Sequence, residues 1–432
     1  MLGLYIHIPW CAAKCAYCDF FSLPTRPDRI PQDEYLRALT HQMDDAVARG
    51  MFEGREVGSI YIGGGTPSLM PSAWYARLLD AVRARCRIDA DAEITCEANP
   101  ATADASWFSA MAAHGVTRLS LGVQSFRDDA LTALGRVHTA ADALRAIAEA
   151  QDAGFSSVSV DLMFGLPHET IKEVEHDLRT AMTFQPQHIS AYQLTIEEGT
   201  PLAACRAKDT LMIGIPSDDD VLTQLRLVKR MLSSGGWEPY EISNFAKKGY
   251  ACRHNLNYWR YGEYLGLGAG ATSFMTYGCH PERSAAESKD PLHFLTPMTK
   301  ARDSSASCAS GTVPYVNASP SVQVGRNDSN YSRWTMTRDL ARYLHDPIVE
   351  DACEELSPRT AEGEFCFMGL RMSEGIARDE FTRRFGVSLD DVFPGVVASL
   401  AAEGLAIDEG GRLTLTPRGR ELSNTVFTRF VE

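Results

Sequence analysis

Three cysteines near the start of the chain constrain its chemistry more than any other feature. Cys11, Cys15 and Cys18 follow one another in a C-x3-C-x2-C spacing, directly after an apolar run at residues 2–8 that predicts a buried strand. Thiolate is the ligand that iron–sulfur clusters use, so three thiolates in one turn can each bind a different iron of a [4Fe–4S] cube. The fourth iron then has no protein ligand and offers a position for a chelating small molecule.

A zinc site or a set of disulfides is less consistent with the sequence. A structural zinc site normally takes four ligands in two pairs, and no second C-x2-C or H-x3-H pair follows. Disulfides are not expected in a chain without a secretory signal. The remaining cysteines of the chain, from Cys86 to Cys366, form no second tight group, and most are predicted to be buried, inert thiols.

Length and composition limit the class of protein. A chain of 432 residues predicts one large domain and a smaller one, and its 44% hydrophobic and 23% charged residues are ordinary for a globular protein. The net charge of −14 argues against binding to nucleic acid or to anionic membranes. No apolar run reaches the ~18 residues of a transmembrane helix, and the chain enters a strand without a signal-like segment. We therefore expect a cytoplasmic protein.

Strand and helix signals alternate through the first half of the chain. Six strands are predicted, with helices between them, at residues 2–8, 59–62, 93–97, 118–123, 157–161 and 188–194. This rhythm predicts an α/β fold with a partial (βα)6 barrel, similar to a TIM barrel, whose site lies at the carboxyl ends of the strands. The cysteine loop, a glycine run, Glu97, Gln124 and Asp161 all follow successive strands. We expect them to meet at one mouth.

The glycine run is the second strong signal. Gly-Gly-Gly-Thr-Pro at 63–67 lets the backbone approach a ligand closely, although alone it is also compatible with a tight strand-to-helix turn. Together with the cysteine spacing, it resembles the radical S-adenosylmethionine (SAM) superfamily. The resemblance implies a [4Fe–4S] cluster on Cys11, Cys15 and Cys18. It also implies SAM on the open iron, with the glycine backbone receiving the SAM amino group.

Further motifs resemble a narrower family, the oxygen-independent coproporphyrinogen III oxidase (HemN) group, which includes the heme chaperone HemW. They are Tyr-Ile-His-Ile-Pro-Trp-Cys at 5–11, Leu-Ser-Leu-Gly-Val-Gln-Ser-Phe at 119–126, Leu-Gly-Arg-Val-His at 134–138 and Asp-Leu-Met-Phe-Gly-Leu-Pro at 161–167. The resemblance places these residues at SAM: Tyr5, Gly64, Gly65, Thr66, Glu97, Gln124, Arg136 and Asp161. The charged ones also have a structural interpretation, since buried charges can serve the fold alone.

Two features indicate the HemW-like branch. The oxidases carry a fourth cysteine two residues after the third, where this chain has Phe20, and they carry an N-terminal extension that this chain lacks. An H-N-x-x-Y-W element at 254–259 resembles the heme-binding motif of HemW-like proteins. Neutral imidazole at His254 can ligate heme iron, and Tyr258 and Trp259 offer flat apolar faces to a macrocycle. On chemistry alone, such a histidine is more often a packed core residue.

The resemblance therefore implies a heme chaperone that binds heme and delivers it to acceptor hemoproteins, with membrane-associated respiratory enzymes among the candidate acceptors. An electron donor for the cluster and a homodimer are also open expectations, and no nucleic-acid partner is expected. The alternative is an oxidase that converts coproporphyrinogen III to protoporphyrinogen IX by radical decarboxylation, and a third is a radical enzyme on another substrate. Whether the chain is an enzyme stays open at this point.

The second half of the chain has a different organisation. We expect a radical SAM core at 1–245, a heme-motif and glycine-rich connector at 246–278, a disordered insertion at 279–335 and a C-terminal domain at 336–432. Helices followed by a Glu-Gly-Gly turn at 409–411 predict an α+β, winged-helix-like unit. Residues 376–432 hold seven Arg against nine Asp and Glu, so this unit has no basic nucleic-acid footprint.

Overall fold

A computed structural model of the protein describes residues 1–207, 214–276 and 331–431. Its strands are β1 (Leu2–Ile8), β2 (Trp10–Cys11), β3 (Leu23–Pro24), β4 (Val57–Gly64), β5 (Ile88–Ala98), β6 (Arg118–Gln124), β7 (Ser157–Phe164), β8 (His188–Gln193), β9 (Glu238–Pro239), β10 (Asn244–Ala246), β11 (Tyr264–Leu267), β12 (Thr272–Thr276), β13 (Tyr331–Met336), β14 (Glu350–Leu356), β15 (Ile376–Ala377), β16 (Ala406–Glu409) and β17 (Arg412–Leu415).

The α-helices alternate with these strands in the first half of the chain and dominate the end of it. They are α1 (Gln32–Ala48), α2 (Ser72–Arg83), α3 (Ala105–Ala113), α4 (Asp128–Ala133), α5 (Ala140–Asp152), α6 (Ile171–Thr183), α7 (Pro201–Ala207), α8 (Asp218–Ser234), α9 (Arg253–Trp259), α10 (Leu340–His345), α11 (Pro358–Arg371), α12 (Arg378–Phe385), α13 (Leu389–Val392), α14 (Val396–Ala402), α15 (Pro417–Glu421) and α16 (Ser423–Phe427). No described helix is long and apolar enough to cross a bilayer.

Twelve strands form one large sheet in the order β14-β13-β12-β11-β1-β4-β5-β6-β7-β8-β10-β9. The strands from β11 to β8 are parallel to one another, and antiparallel strands extend the sheet at both ends. All six strands of the predicted βα units lie in the parallel part, and β11 adds a seventh beside β1. β14 and β9 do not pair with each other in the described residues, so the sheet is open, and its parallel part is the predicted partial barrel.

Local sequence signals explain why the helices lie on the outside of this sheet. α2 buries Trp74, Tyr75 and Leu78 against the core while its other face stays polar, which is the amphipathic pattern of a helix covering a sheet. The predicted capping box of α6 is present, since the Glu173 carboxylate accepts a hydrogen bond of 2.7 Å from the Thr170 backbone N–H. A side-chain cap therefore marks the start of α6, and α2 buries the face that it turns to the sheet.

The C-terminal part has its own hydrophobic core and a three-stranded sheet in the order β15-β17-β16. β16 and β17 pair as a hairpin around Gly410 and Gly411, both of which have the positive φ that a two-residue turn requires. This unit, with α11 to α14 beside the hairpin, is the predicted α+β domain. Aromatic residues of the preceding segment, Tyr261 and Phe274, pack into the same core.

The domain boundaries expected from composition differ from the sheet pairing. Most of the predicted insertion at 279–335 lies outside the described residues, but residues 331–335 belong to β13, which pairs with both β12 and β14. The boundary expected at 336 therefore falls at the end of a strand of the large sheet, and that sheet continues to Leu356. Trp334 and Met336 are buried on one face of this strand, in the core of the large sheet, and Tyr331 is buried on the other face, in the core of the C-terminal part.

Candidate functional site

A cavity of about 510 Å³ opens at the carboxyl ends of the parallel strands. Its volume is in the range typical of small-molecule sites, and its position is the one where barrels of this kind carry their sites. Eleven of the residues predicted from the sequence line it: Cys11, Cys15, Cys18, Gly64, Gly65, Thr66, Glu97, Gln124, Arg136, Asp161 and Trp259. The structure thus gathers residues that are up to 248 positions apart in the sequence, Cys11 and Trp259, into one space.

Inward-facing polar side chains give the cavity its chemistry. On β6, every second residue lines it, namely Arg118, Ser120, Gly122 and Gln124, because side chains of a strand alternate between its two faces. A register shift between Gly122 and Gln124, with Gln124 at φ 69°, ends this alternation. Gln124 accepts a hydrogen bond of 2.5 Å from the Tyr192 hydroxyl, which holds its amide at the cavity wall.

The cysteine loop is held against the cavity by hydrogen bonds that reach its sulfur atoms. The Thr66 hydroxyl donates to Cys11 Sγ at 3.3 Å, and Arg136 Nη1 donates to Cys15 Sγ at 3.5 Å. Burial raises the pKa of the Cys11 and Cys18 thiols, so these thiols keep their protons until a metal displaces them. Within the described ranges, no three His, Cys, Asp or Glu side chains are arranged as a single-ion site.

The glycine run lies directly against the chain that enters the cysteine loop. Gly65 N–H donates to the Ile8 carbonyl at 2.7 Å, and Thr66 N–H donates to the Trp10 carbonyl at 2.7 Å. A Cβ on Gly65 would lie 2.5 Å from the Trp10 carbonyl oxygen, and Gly64 has a φ of 113°. Position 64 favours glycine because of its positive φ, and position 65 requires glycine because a Cβ has no room there. The close approach at Gly65 fixes the position of Cys11.

Two buried carboxyl groups line the cavity, one on β5 and one on β7. Glu97 accepts hydrogen bonds from the Tyr61 hydroxyl at 2.8 Å and from Gly64 N–H at 3.1 Å, and burial raises its pKa to about 7. Asp161 accepts from the Ser120 and Ser159 hydroxyls at 3.0 Å, and burial also raises its pKa. These carboxyl groups can accept hydrogen bonds from a ligand's hydroxyl or amino groups.

Arg136 connects the cysteine loop to β6. Besides its bond to Cys15, its Nη2 donates to the Gly122 carbonyl at 2.6 Å, at the bulged end of β6. The guanidinium therefore lies between the cysteine loop and β6, and its Nε is a buried donor without an acceptor in the described structure.

Three predicted site residues do not line the cavity. Tyr5 lies behind the wall, where its hydroxyl is hydrogen-bonded to His7 Nδ1 at 2.9 Å and its ring stacks on Tyr61. His254 has no solvent exposure, and its two ring nitrogens are hydrogen-bonded to Ser59 Oγ at 2.8 Å and to the Tyr258 hydroxyl at 2.9 Å. Burial lowers the pKa of His254 to about 3, so the ring is neutral. In this structure His254 lies in the core and packs edge-on against the half-buried ring of Tyr258.

Glu93 explains this burial of His254. Its carboxylate accepts hydrogen bonds from the backbone N–H groups of Arg253 and His254 and from Cys252 Sγ, at 3.1–3.2 Å. A carboxylate at a helix N-terminus is favourable because the first N–H groups of a helix have no partner within it. The start of α9 is therefore anchored to β5, while Trp259, at the other end of the helix, reaches the cavity.

Several residues of the cavity were not predicted. Arg118, Tyr192, Glu241, Asn255 and Arg371 all line it. The alternation of residues along β6 could have predicted that Arg118, which is 2% exposed, lies on the same face as Ser120 and Gln124. For Arg371 the sequence offered none, since this residue ends α11 in the C-terminal part and resembles an ordinary basic residue in a last turn.

Comparisons with known proteins agree with this geometry. Residues 5–181 match the radical SAM superfamily, and residues 356–422 match the HemN C-terminal domain. The chain is 46% identical to the heme chaperone HemW of Escherichia coli strain K12 over 276 residues, which are 64% of this chain and 71% of that protein. It is 32% identical to the heme chaperone HemW of Bacillus subtilis strain 168 over 433 residues, which span 100% of this chain and 99% of that protein.

A solved structure is similar over nearly the whole chain. The coproporphyrinogen III oxidase HemN from Escherichia coli, described as a radical SAM enzyme, superposes with a TM-score of 0.74, and the match covers 99% of this chain and 89% of that one. The sequence identity is 21%, so this likeness concerns the fold. It agrees with the partial barrel and the C-terminal unit described above.

The raised pKa of Glu97 predicts a pH dependence of stability. Between the ordinary pKa of 4.5 and about 7, the folded chain holds a proton that the unfolded chain has released, so the free energy of unfolding falls as the pH rises through this window. Glu97→Gln keeps an acceptor for Tyr61 and removes the titration. We expect the variant to gain stability relative to the wild type between about pH 5 and about pH 7.5, measured by urea unfolding of the metal-free chain.

A matched control is Glu173→Gln. The pKa of Glu173 is lowered by hydrogen bonds from Thr170, so this group is ionised in both states throughout that pH range. Its stability difference from the wild type should stay constant. A Glu97→Gln difference that is equally constant would contradict the assignment of a raised pKa to Glu97.

Proposed function

Because the chain belongs to the heme chaperone HemW family of the radical SAM superfamily, we propose that it binds heme and delivers it to acceptor hemoproteins. The observation that carries this proposal is the likeness to HemW proteins along the whole chain, 32% identity over 433 residues in one case. Phe20 supports it, since it stands at the cavity mouth, 64% exposed, where the oxidase branch has a fourth cysteine.

Membership of the superfamily implies a [4Fe–4S] cluster and SAM. We assign the cluster to Cys11, Cys15 and Cys18, since these thiols line the same cavity and two of their sulfur atoms already accept hydrogen bonds. Donors of this kind stabilise thiolate, and so Thr66 and Arg136 favour the ligating form of the cysteines. When bound, such a cluster supplies the electron that cleaves SAM.

The neighbouring polar residues fit SAM by their chemistry. The glycine run presents backbone at Gly64 and Gly65, and the carboxyl groups of Glu97 and Asp161 suit amino and ribose hydroxyl groups. Arg136 has a buried donor left for a carboxylate. Gln124 adds an amide at the same wall. Tyr5 would act by supporting Tyr61, because its own hydroxyl is used by His7.

Heme would enter the cavity from the side of α9. Trp259 lines the cavity there, while His254 lies in the core and the half-buried Tyr258 is hydrogen-bonded to it. Coordination of iron by His254, which the family resemblance implies, requires its Nε2 to leave the Tyr258 hydroxyl. The ring is already neutral, which is the form that ligates iron.

The cluster assignment predicts a selective loss of iron. Replacing Cys11, Cys15 or Cys18 with Ala should remove one ligand of the cluster and abolish its charge-transfer absorbance after anaerobic reconstitution. Cys86→Ala is the matched control, because Cys86 is a free, partly buried cysteine outside the cavity. Iron and sulfide analysis gives a second readout. Full cluster content in any of the first three variants would contradict the assignment.

The heme assignment predicts saturable binding. Anaerobically reconstituted protein should give a saturable heme absorbance band on titration, weakened by about tenfold or more in affinity in His254→Ala. Tyr258→Phe frees Nε2 of His254 without removing the ring, so this variant should bind heme at least as tightly as the wild type.

The two measurements test separate claims: that His254 ligates the heme iron, and that the protein binds heme at all. An unchanged heme spectrum in His254→Ala would exclude His254 as the axial ligand and leave heme binding intact. The absence of saturable binding in the wild type would contradict the chaperone function itself.

A further inference from the structure

One wall of the cavity carries polar groups that we have assigned neither to the cluster nor to SAM. It is formed by Trp259, the last residue of α9, by Arg371, the last residue of α11, and by Glu241 in the segment before β10. The Arg371 guanidinium lies over the Trp259 ring, with its carbon 4.5 Å from the ring centroid. This arrangement joins the barrel and the C-terminal part at a single wall.

Two hydrogen-bond donors at this wall have no acceptor. Arg371 Nε and Trp259 Nε1 are both buried and unpaired in the described structure. A buried donor without an acceptor is unfavourable, so such groups are normally satisfied by water or by a ligand. Guanidinium and indole N–H groups can only donate, and therefore the missing partner must be an acceptor.

Glu241 forms an ion pair with Arg371 but no hydrogen bond. One carboxylate oxygen of Glu241 accepts from Ser243 N–H at 2.8 Å and from the Asn244 side-chain amide at 2.6 Å. The other oxygen lies 4.0 Å from Arg371 Nη2, which is an ion pair but too long for a hydrogen bond, and it has no hydrogen-bond partner among the described residues. The charge of Glu241 thus attracts the guanidinium of Arg371, while the Nε–H of Arg371 still has no acceptor.

We propose that Arg371 and Trp259 form a subsite for a carboxylate of the porphyrin ligand, so that a propionate group anchors heme at this wall of the cavity. A planar guanidinium fork is the group that best matches a carboxylate, and the indole N–H adds a donor beside it. The inference rests on the proposed function, since the propionates are the carboxylates that heme carries. It adds a source of specificity: heme is recognised by its acid groups as well as by its iron.

The test compares heme with iron protoporphyrin IX dimethyl ester, which has the same macrocycle and iron but no free carboxylate. Both are titrated into the anaerobically reconstituted full chain and followed by absorbance. We expect the wild type to bind heme about tenfold or more tightly than the diester, and Arg371→Gln to lose most of this preference by weakening heme alone. Trp259→Phe, which keeps an aromatic ring and removes one donor, should lose part of it.

Arg260→Gln is the matched control, because Arg260 is the next residue after Trp259 but is exposed and paired with Glu374 outside the cavity. It removes the same charge and should leave the preference unchanged. SAM is titrated into the same variants as a second ligand. Unchanged SAM affinity in Arg371→Gln supports a porphyrin subsite, and a loss confined to SAM overturns it.

The results distinguish an error in the carboxylate subsite from an error in the proposed heme-binding function. If the wild type binds heme and diester equally, or if Arg371→Gln and Trp259→Phe both keep the wild-type preference, the subsite is wrong and heme binding stands. If the wild type binds neither compound, the proposed function fails and the subsite fails with it. Folding of each variant is checked by its cluster content, which depends on the cysteines of the loop and not on the residues of this wall.

Discussion

The close backbone approach between the glycine run and the entry to the cysteine loop is the constraint on which the rest of the site depends. Gly65 and Thr66 donate to the carbonyl groups of Ile8 and Trp10, at a distance that leaves no room for a Cβ on Gly65. This contact fixes Cys11 at the carboxyl end of the sheet, where its sulfur accepts a hydrogen bond from Thr66. Cys11 then lines the same cavity as the carboxyl groups of Glu97 and Asp161. Parallel pairing of the strands then brings the successive strand ends to the same mouth.

Much of the fold, and the part of the site around the cysteine loop, could be predicted from the sequence for physical reasons. Apolar runs separated by amphipathic helices specify parallel strands, and polar residues at successive strand ends must then meet. Glu97, Gln124 and Asp161 were found in this way, and all three line the cavity. The glycine run was recognisable because a backbone that approaches another this closely requires glycine.

The rest depended on tertiary contacts that leave no local pattern. The burial of His254 has no signal in its motif, because a carboxylate from β5, Glu93, anchors the start of α9 and places the imidazole in the core; heme ligation by His254 stays a prediction. Arg371 reaches the cavity only because the C-terminal part packs against α9. The strand at Tyr331–Met336 was assigned to an insertion because compositional bias upstream obscured its apolar alternation. Burial and long-range packing decide each of these cases.

Transfer of heme to an acceptor tests the central claim most directly. Heme-loaded protein is mixed under anaerobic conditions with a heme-free cytochrome, and the acceptor spectrum is followed at several acceptor concentrations. Direct delivery predicts a transfer rate that rises with acceptor concentration, because the two proteins must meet, and no protoporphyrinogen when coproporphyrinogen III, SAM and a reductant are supplied instead. A rate independent of acceptor concentration, which indicates release of heme into solution, or robust formation of protoporphyrinogen would contradict a chaperone function.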